Sequence, residues 1–163
     1  MSAPQTPRPG IAQALLDDRT ALPGLLPQEI CIFKAWWKDN KASFTGAEFN
    51  VRVGTGYDPG EQYLKAVRES TIANSQKRLD ALLWQAIQPT IVEVKFRATP
   101  LVIGQILCYS LLWTRMFPDN PKPSLYVLCA QTDTDTAYCC QAFGIVLFVV
   151  AADFTGIKVQ KRS

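Results

Sequence analysis

The chain has 163 residues, 48% of them hydrophobic and 19% charged, so it can bury a substantial core without metal or disulfide staples and is not disordered by composition. It contains no histidine, which excludes Ser-His-Asp and Cys-His catalysis, HExxH zinc hydrolysis and any pH switch built on imidazole. Seventeen Lys and Arg against 14 Asp and Glu give a net charge of +3, which permits a polyanionic partner without demonstrating one.

In chain order, Pro4, Pro7 and Pro9 predict an extended arm, and Ile11 to Asp18 a short helix broken by Pro23 and Gly24. Residues 1–24 are thus read as an arm, able to join a second copy or a larger assembly, and 25–163 as a single domain. Pro27 suits the first position of a helix to about Lys38, with Ile30, Phe33 and Trp37 on one apolar stripe. Ala47 to Val53 alternates as a strand, ended by Gly54-Thr55-Gly56. Pro59-Gly60 is expected to open a helix through about Ser70. Lys77 to Trp84 and Thr90 to Arg97 read as two strands joined by a hairpin. Thr99 should cap, and Pro100 open, a helix to about Met116. Leu125 to Ala130 is a strand, Thr134 to Phe143 a short helix and Ile145 to Ala151 a last strand. The order predicts a mixed α/β (α+β) fold, a mixed sheet flanked by helices.

The apolar stretch Leu101 to Phe117 is interrupted by Gln105, Tyr109 and Arg115, and the first ten residues hold no apolar signal core. A soluble, cytoplasmic protein without a membrane partner is expected. Cys31, Cys108, Cys129, Cys139 and Cys140 are odd in number and form no CxxC, which predicts buried, reduced thiols. Core packing is also the expected place of Trp36, Trp37 and Trp84, with base stacking the alternative.

Candidate chemistry gathers in the middle of the chain. On one strand, Glu93 and Lys95 point to one face while Val92, Val94 and Phe96 point to the other. Asp80 lies on the preceding strand, and if it opposes Glu93, Leu82 must pair with Ile91; a one-residue slip would turn Asp80 to the wrong face. Two carboxylates without histidine form a hard oxygen site suited to Mg2+ or Mn2+. Gln105 and Tyr109, four residues apart, share one face of an otherwise apolar helix and need polar partners there. Arg52, Lys77, Arg78 and Arg97 are candidate phosphate contacts, Arg78 sharing a face with Asp80 and Arg97 with Glu93 and Lys95.

Asp80 in KRLDALLW, Glu93 and Lys95 in IVEVKFR, and Gln105 and Tyr109 in GQILCYSLLW together resemble the PD-(D/E)xK nuclease superfamily, specifically its RecB-type branch with a QxxxY element. The likeness spans about two-thirds of the chain, from near Pro27 to Ala130. Leu79 stands where many members have proline, and the upstream histidine frequent in the branch is missing. The resemblance implies a restriction-endonuclease-like α-β-β-β-α-β core and Mg2+-dependent (or Mn2+-dependent) hydrolysis of DNA phosphodiesters. It further implies that Asp80, Glu93 and the Val94 carbonyl hold metal, with Glu29 an upstream acidic candidate. Lys95 would orient water or stabilise charge, and Gln105 and Tyr109 would position the metal shell or a phosphate. Two other readings are a nuclease-fold assembly or packaging component of a phage particle, and a non-catalytic α/β binding module.

Overall fold

The computed structural model describes residues 22–155 and 157. The predicted helix at 11–18, and with it most of the arm, lies outside the described residues. The elements run α1 (Pro27–Asn40), a 3-10 turn (Lys41–Ser43), β1 (Gly46–Val53), α2 (Lys65–Ser75), β2 (Lys77–Gln85) and β3 (Gln88–Arg97), then α3 (Pro100–Met116), β4 (Ser124–Gln131), α4 (Thr134–Ala142) and β5 (Ile145–Val149). The strands form one mixed sheet in the order β1-β2-β3-β4-β5, antiparallel from β1 to β3 and parallel from β3 to β5. The fold class is therefore mixed α/β, as the element order predicts.

The sheet separates two apolar layers. On one side α1 packs Ile32, Phe33, Trp36 and Trp37 against Ala81, Leu83, Val92, Val94 and Leu128. On the other, α3 packs Val102, Ile106, Tyr109 and Trp113 against Leu82, Trp84, Ile91 and Val127. Trp36, Trp37 and Trp84 are all core residues. Pro27 and Pro100 both occupy the first turn of their helices. Thr99 precedes α3, but its side chain makes no capping bond; its backbone carbonyl accepts from Val102 instead.

Three expectations are corrected. The second helix begins at Lys65, not at Pro59-Gly60. Asp58 Oδ1 accepts from the Gly60 N–H (3.0 Å), and Gly60 adopts φ +102°, a left-handed turn that cannot start an α-helix. The thiols are not uniformly buried: Cys129 and Cys140 are, Cys31 and Cys139 are half-buried, and Cys108 is exposed. Cys108 lies on the outer stripe of α3 with Leu101 and Leu111, which are 84% and 73% exposed; an all-round apolar helix has here only one covering layer. Finally, strict strand alternation fails at one level of the sheet. Phe49 and Ala81 belong to the α1 layer, but Val51 and Leu79 belong to the α3 layer. The switch falls at Asn50 and Asp80, and Asn50 has φ +55°. The β1–β2 pairing is interrupted there, between Phe49↔Ala81 and Val51↔Leu79, and both strands turn over without a change of register.

A candidate active site where two strands part

The hairpin of β2 and β3 is closed at its turn. Pairs run from Gln85↔Gln88 through Leu82↔Ile91 to Ala81↔Val92, the register predicted from the sequence. Beyond that pair the ladder stops. The Val94 N–H, which would otherwise need a partner on β2, donates to Asp80 Oδ2 at 2.9 Å. Asp80 thus sits at the fork of the two strands, held there by the backbone of β3.

Glu93, the residue opposite Asp80 in this register, is fully buried. Lys95 Nζ lies 2.6 Å from Glu93 Oε1, 3.4 Å from Asp80 Oδ2 and 3.9 Å from Glu29 Oε1. The Gln105 carboxamide donates to Glu93 Oε1 at 2.5 Å and to Tyr109 Oη at 2.9 Å. The carboxamide presents its nitrogen here, because Glu93 Oε1 already faces the Lys95 ammonium at 2.6 Å and is therefore an acceptor. Glu29 arrives from the first turn of α1, where its other oxygen accepts the Leu26 N–H at 2.8 Å. Leu26 offers no side-chain acceptor in return, so half of a capping box is present. The fork therefore lets an ammonium meet carboxylates from the sheet and from α1, beside an amide and a phenol from α3.

The electrostatics follow from this crowding. Burial pushes Glu93 up to about 8, the Asp80 carboxylate adds to the rise and Lys95 opposes it. Burial pulls the Lys95 ammonium down, but Glu93 and Asp80 outweigh it and hold the amine above its ordinary range. Lys95 is thus protonated at neutral pH, suited to orienting water or neutralising charge and not to removing a proton. Burial raises Glu29 and the Tyr109 phenol as well.

The donors fit a hard divalent cation in one respect: Glu93 Oε2 is buried with no hydrogen-bond partner, an acceptor that an ion would satisfy. Among the described residues, however, no three His, Cys, Asp or Glu side chains are grouped to enclose a metal. An ion would rest on Asp80 and Glu93, completed by backbone carbonyl and water. The Val94 carbonyl is the backbone donor that the sequence resemblance implies, while the contact the structure shows is through the Val94 N–H.

Asp80, Glu93, Lys95, Gln105, Tyr109 and Glu29 are thus brought together. The four basic candidates are exposed and make no ion pair with this cluster. Arg52 and Arg78 face each other across β1 and β2. Because the strand turns over at Asp80, Arg78 does not share that residue's face as expected; its guanidinium instead meets Asn50 Oδ1 at 3.4 Å. Lys77 lines a groove of about 520 Å3 along α3, with Gly104, Gln105, Cys108, Tyr109, Leu111 and Leu112. Arg97 lies at the end of β3, where it acts on Asp133. The role of the Val94 N–H was not visible in the sequence, since strand pairing would ordinarily consume it.

No helix among the described residues is long and apolar enough to cross a membrane. Comparison with family models and with curated proteins gives no match. One solved structure, described as a protein of unknown function, AF1548, is similar at 12% identity and a TM-score of 0.45. The similarity covers 75% of this chain and 57% of that one, so the chain spans a little over half of that protein's length.

Proposed function

We propose that the protein is a divalent-metal-dependent nuclease of the PD-(D/E)xK kind that hydrolyses DNA phosphodiesters. The observation that carries this reading is the fork itself: Asp80, Glu93 and a protonated Lys95 within one hydrogen-bonded cluster, with one carboxylate oxygen of Glu93 left without a partner. Such an arrangement is costly for stability alone. Asp80 and Glu93 would hold Mg2+ or Mn2+, with the Val94 carbonyl as a further donor and Glu29 at the margin. When bound, the ion would supply Lewis acidity toward the phosphate and acidify a coordinated water. Lys95 places its positive charge where negative charge develops on the scissile phosphate. Gln105 holds Glu93 in place, and Tyr109, whose hydroxyl accepts from Gln105, lines the adjoining groove.

The test is cleavage of linear, circular and single-stranded DNA with Mg2+ or Mn2+. The wild type should cut, and Asp80→Ala and Lys95→Ala should each lose at least about 100-fold. Equal activity in all three proteins would identify a contaminant and overturn the reading. Mg2+ at a hundred times its Kd should also stabilise the wild type by about 2.7 kcal/mol, and Asp80→Ala should not respond. A second reading, a nuclease-fold assembly or DNA-handling component such as one of a phage particle, draws on the ion pairs that Lys95 already makes with Asp80, Glu93 and Glu29. In that case Lys95 neutralises the acids permanently, and neither cutting nor a metal-induced shift is expected.

A further inference from the structure

We infer that the loop after β1 carries a stacking platform for a nucleic-acid strand with unpaired bases, centred on Tyr57 and flanked by the phosphate-binding cations Arg52, Lys77 and Arg78. The inference rests on the nuclease reading for its polyanionic partner and deepens it by naming the form of the substrate. Tyr57 is 66% exposed, and its backbone is fixed: the Tyr57 N–H donates to Ser75 Oγ at 2.6 Å. The loop leading to it is fastened at its base to the last residue of α3 and to the residue that follows α2. The Gly54 N–H meets Met116 Sδ at 2.9 Å, and the Gln76 carboxamide donates to the Gly54 carbonyl at 2.6 Å. Gly56 has φ +70°, and a Cβ there would lie 2.3 Å from the Ile72 carbonyl oxygen, so the loop passes α2 at a distance only glycine allows. An aromatic ring held by such a scaffold yet left in water is already positioned for a planar partner, and ordering it on binding has little entropic cost.

The charges beside it point to the same ligand. Ser75 and Gln76, which anchor the loop, lead directly into Lys77 and Arg78. Arg52 and Arg78 are opposed across the two strands, a like-charge pair that destabilises the sheet. Arg52, Lys77 and Arg78 take part in no ion pair among the described residues. From Lys77 to Asp80 the strand advances about 10 Å, and Lys77 lines the groove shared with Gln105 and Tyr109, so a nucleic-acid strand led from Tyr57 past Lys77 reaches the fork within a few nucleotides. Stacking on one ring uses the exposed face of an unpaired base and has no counterpart in an intact duplex.

Binding of fluorescein-labelled oligo(dT) and of a duplex of equal length, measured by anisotropy in EDTA, tests this without cleavage. Tyr57→Ala should weaken oligo(dT) binding about 5- to 100-fold, the range that stacking on one ring supplies. Tyr57→Phe should bind as the wild type, and duplex binding should change by less than about 2-fold in both variants. The Arg52→Gln, Arg78→Gln double variant should make the salt dependence of oligo(dT) binding shallower by about 1.4 in log-log slope. Unchanged oligo(dT) binding in Tyr57→Ala, equal loss on both DNA forms, or no oligo(dT) binding by the wild type would each overturn the platform. Absence of cleavage in Mg2+ with these binding differences intact would overturn the nuclease reading and leave the platform standing.

Discussion

One hairpin, β2–β3, has two ends of opposite character. At the turn, five successive pairs from Ala81↔Val92 to Gln85↔Gln88 close the ladder, and the side chains of Leu82, Leu83, Trp84 and Ile91 are fully buried. At the fork, backbone pairing gives way to side chains: Asp80 takes a main-chain N–H, and an ammonium gathers three carboxylates. The same two strands thus stabilise the fold at one end and hold electrostatic strain at the other. The closed end supplies the rigidity that keeps the charges in place.

That contrast can be broken most severely at the closed end. Trp84→Ala removes a fully buried ring stacked edge-on against Trp113 at 6.0 Å and deletes its hydrogen bond to Glu48. It should cost about 3–5 kcal/mol in urea unfolding at any pH where the protein folds. At the fork, Lys95→Met should cost about 2–3 kcal/mol at pH 9, because the acids lose their counter-charge in a mostly desolvated place. Its side chain is 31% exposed, which tempers the figure. The cost should shrink at pH 5, where Glu93 is protonated. An equal cost at both values would show that packing, not charge, is what Lys95 contributes.

Glu93→Gln sharpens the comparison by reversing its sign. A carboxyl raised from 4.5 to about 8 on folding binds more protons in the native than in the unfolded chain between those values. Native stability therefore falls as pH rises through that window and stays lowered above it. A permanently neutral carboxamide at this position should make the metal-free protein more stable by about 1–2 kcal/mol at pH 9 and change nothing through this linkage at pH 4. Urea titrations at the two pH values decide it, and a loss at pH 9 would contradict the strain. The smallest effect is expected from Tyr109→Phe, which leaves one Gln105 hydrogen without an acceptor and should cost about 1 kcal/mol.

Much of the fork could be read from the sequence, because it depends on strand periodicity and hairpin register. Once Leu82 is paired with Ile91 by their common apolar face, Asp80 must stand by Glu93. The helix face shared by Gln105 and Tyr109 follows from four-residue spacing. What was illegible has local causes. Asn50 turns the strand over at a positive φ without being glycine, so nothing in the alternation of β1 announces the switch that removes Arg78 from the face of Asp80. Asp58 outcompetes helix initiation at Gly60 through a single side-chain bond. The exposed flank of α3, including Cys108, could not be told from its buried flank because both are apolar. The joining of Glu29 to the cluster depends on how α1 crosses the sheet, a tertiary fact that spacing along the chain does not encode.

The Gln105 carboxamide has two hydrogens, and both are spent: one on Glu93, the other on the oxygen of Tyr109. The phenol is therefore a recipient on its inner side, and its own hydrogen is free to turn toward the groove that Tyr109 and Lys77 help to line. Hydrogen-bond polarity is relayed outward through this short wire, with an acceptor inside and a donor at the mouth. Whatever enters the groove is met by an O–H and an ammonium, a pair that welcomes an oxyanion and turns away a cation.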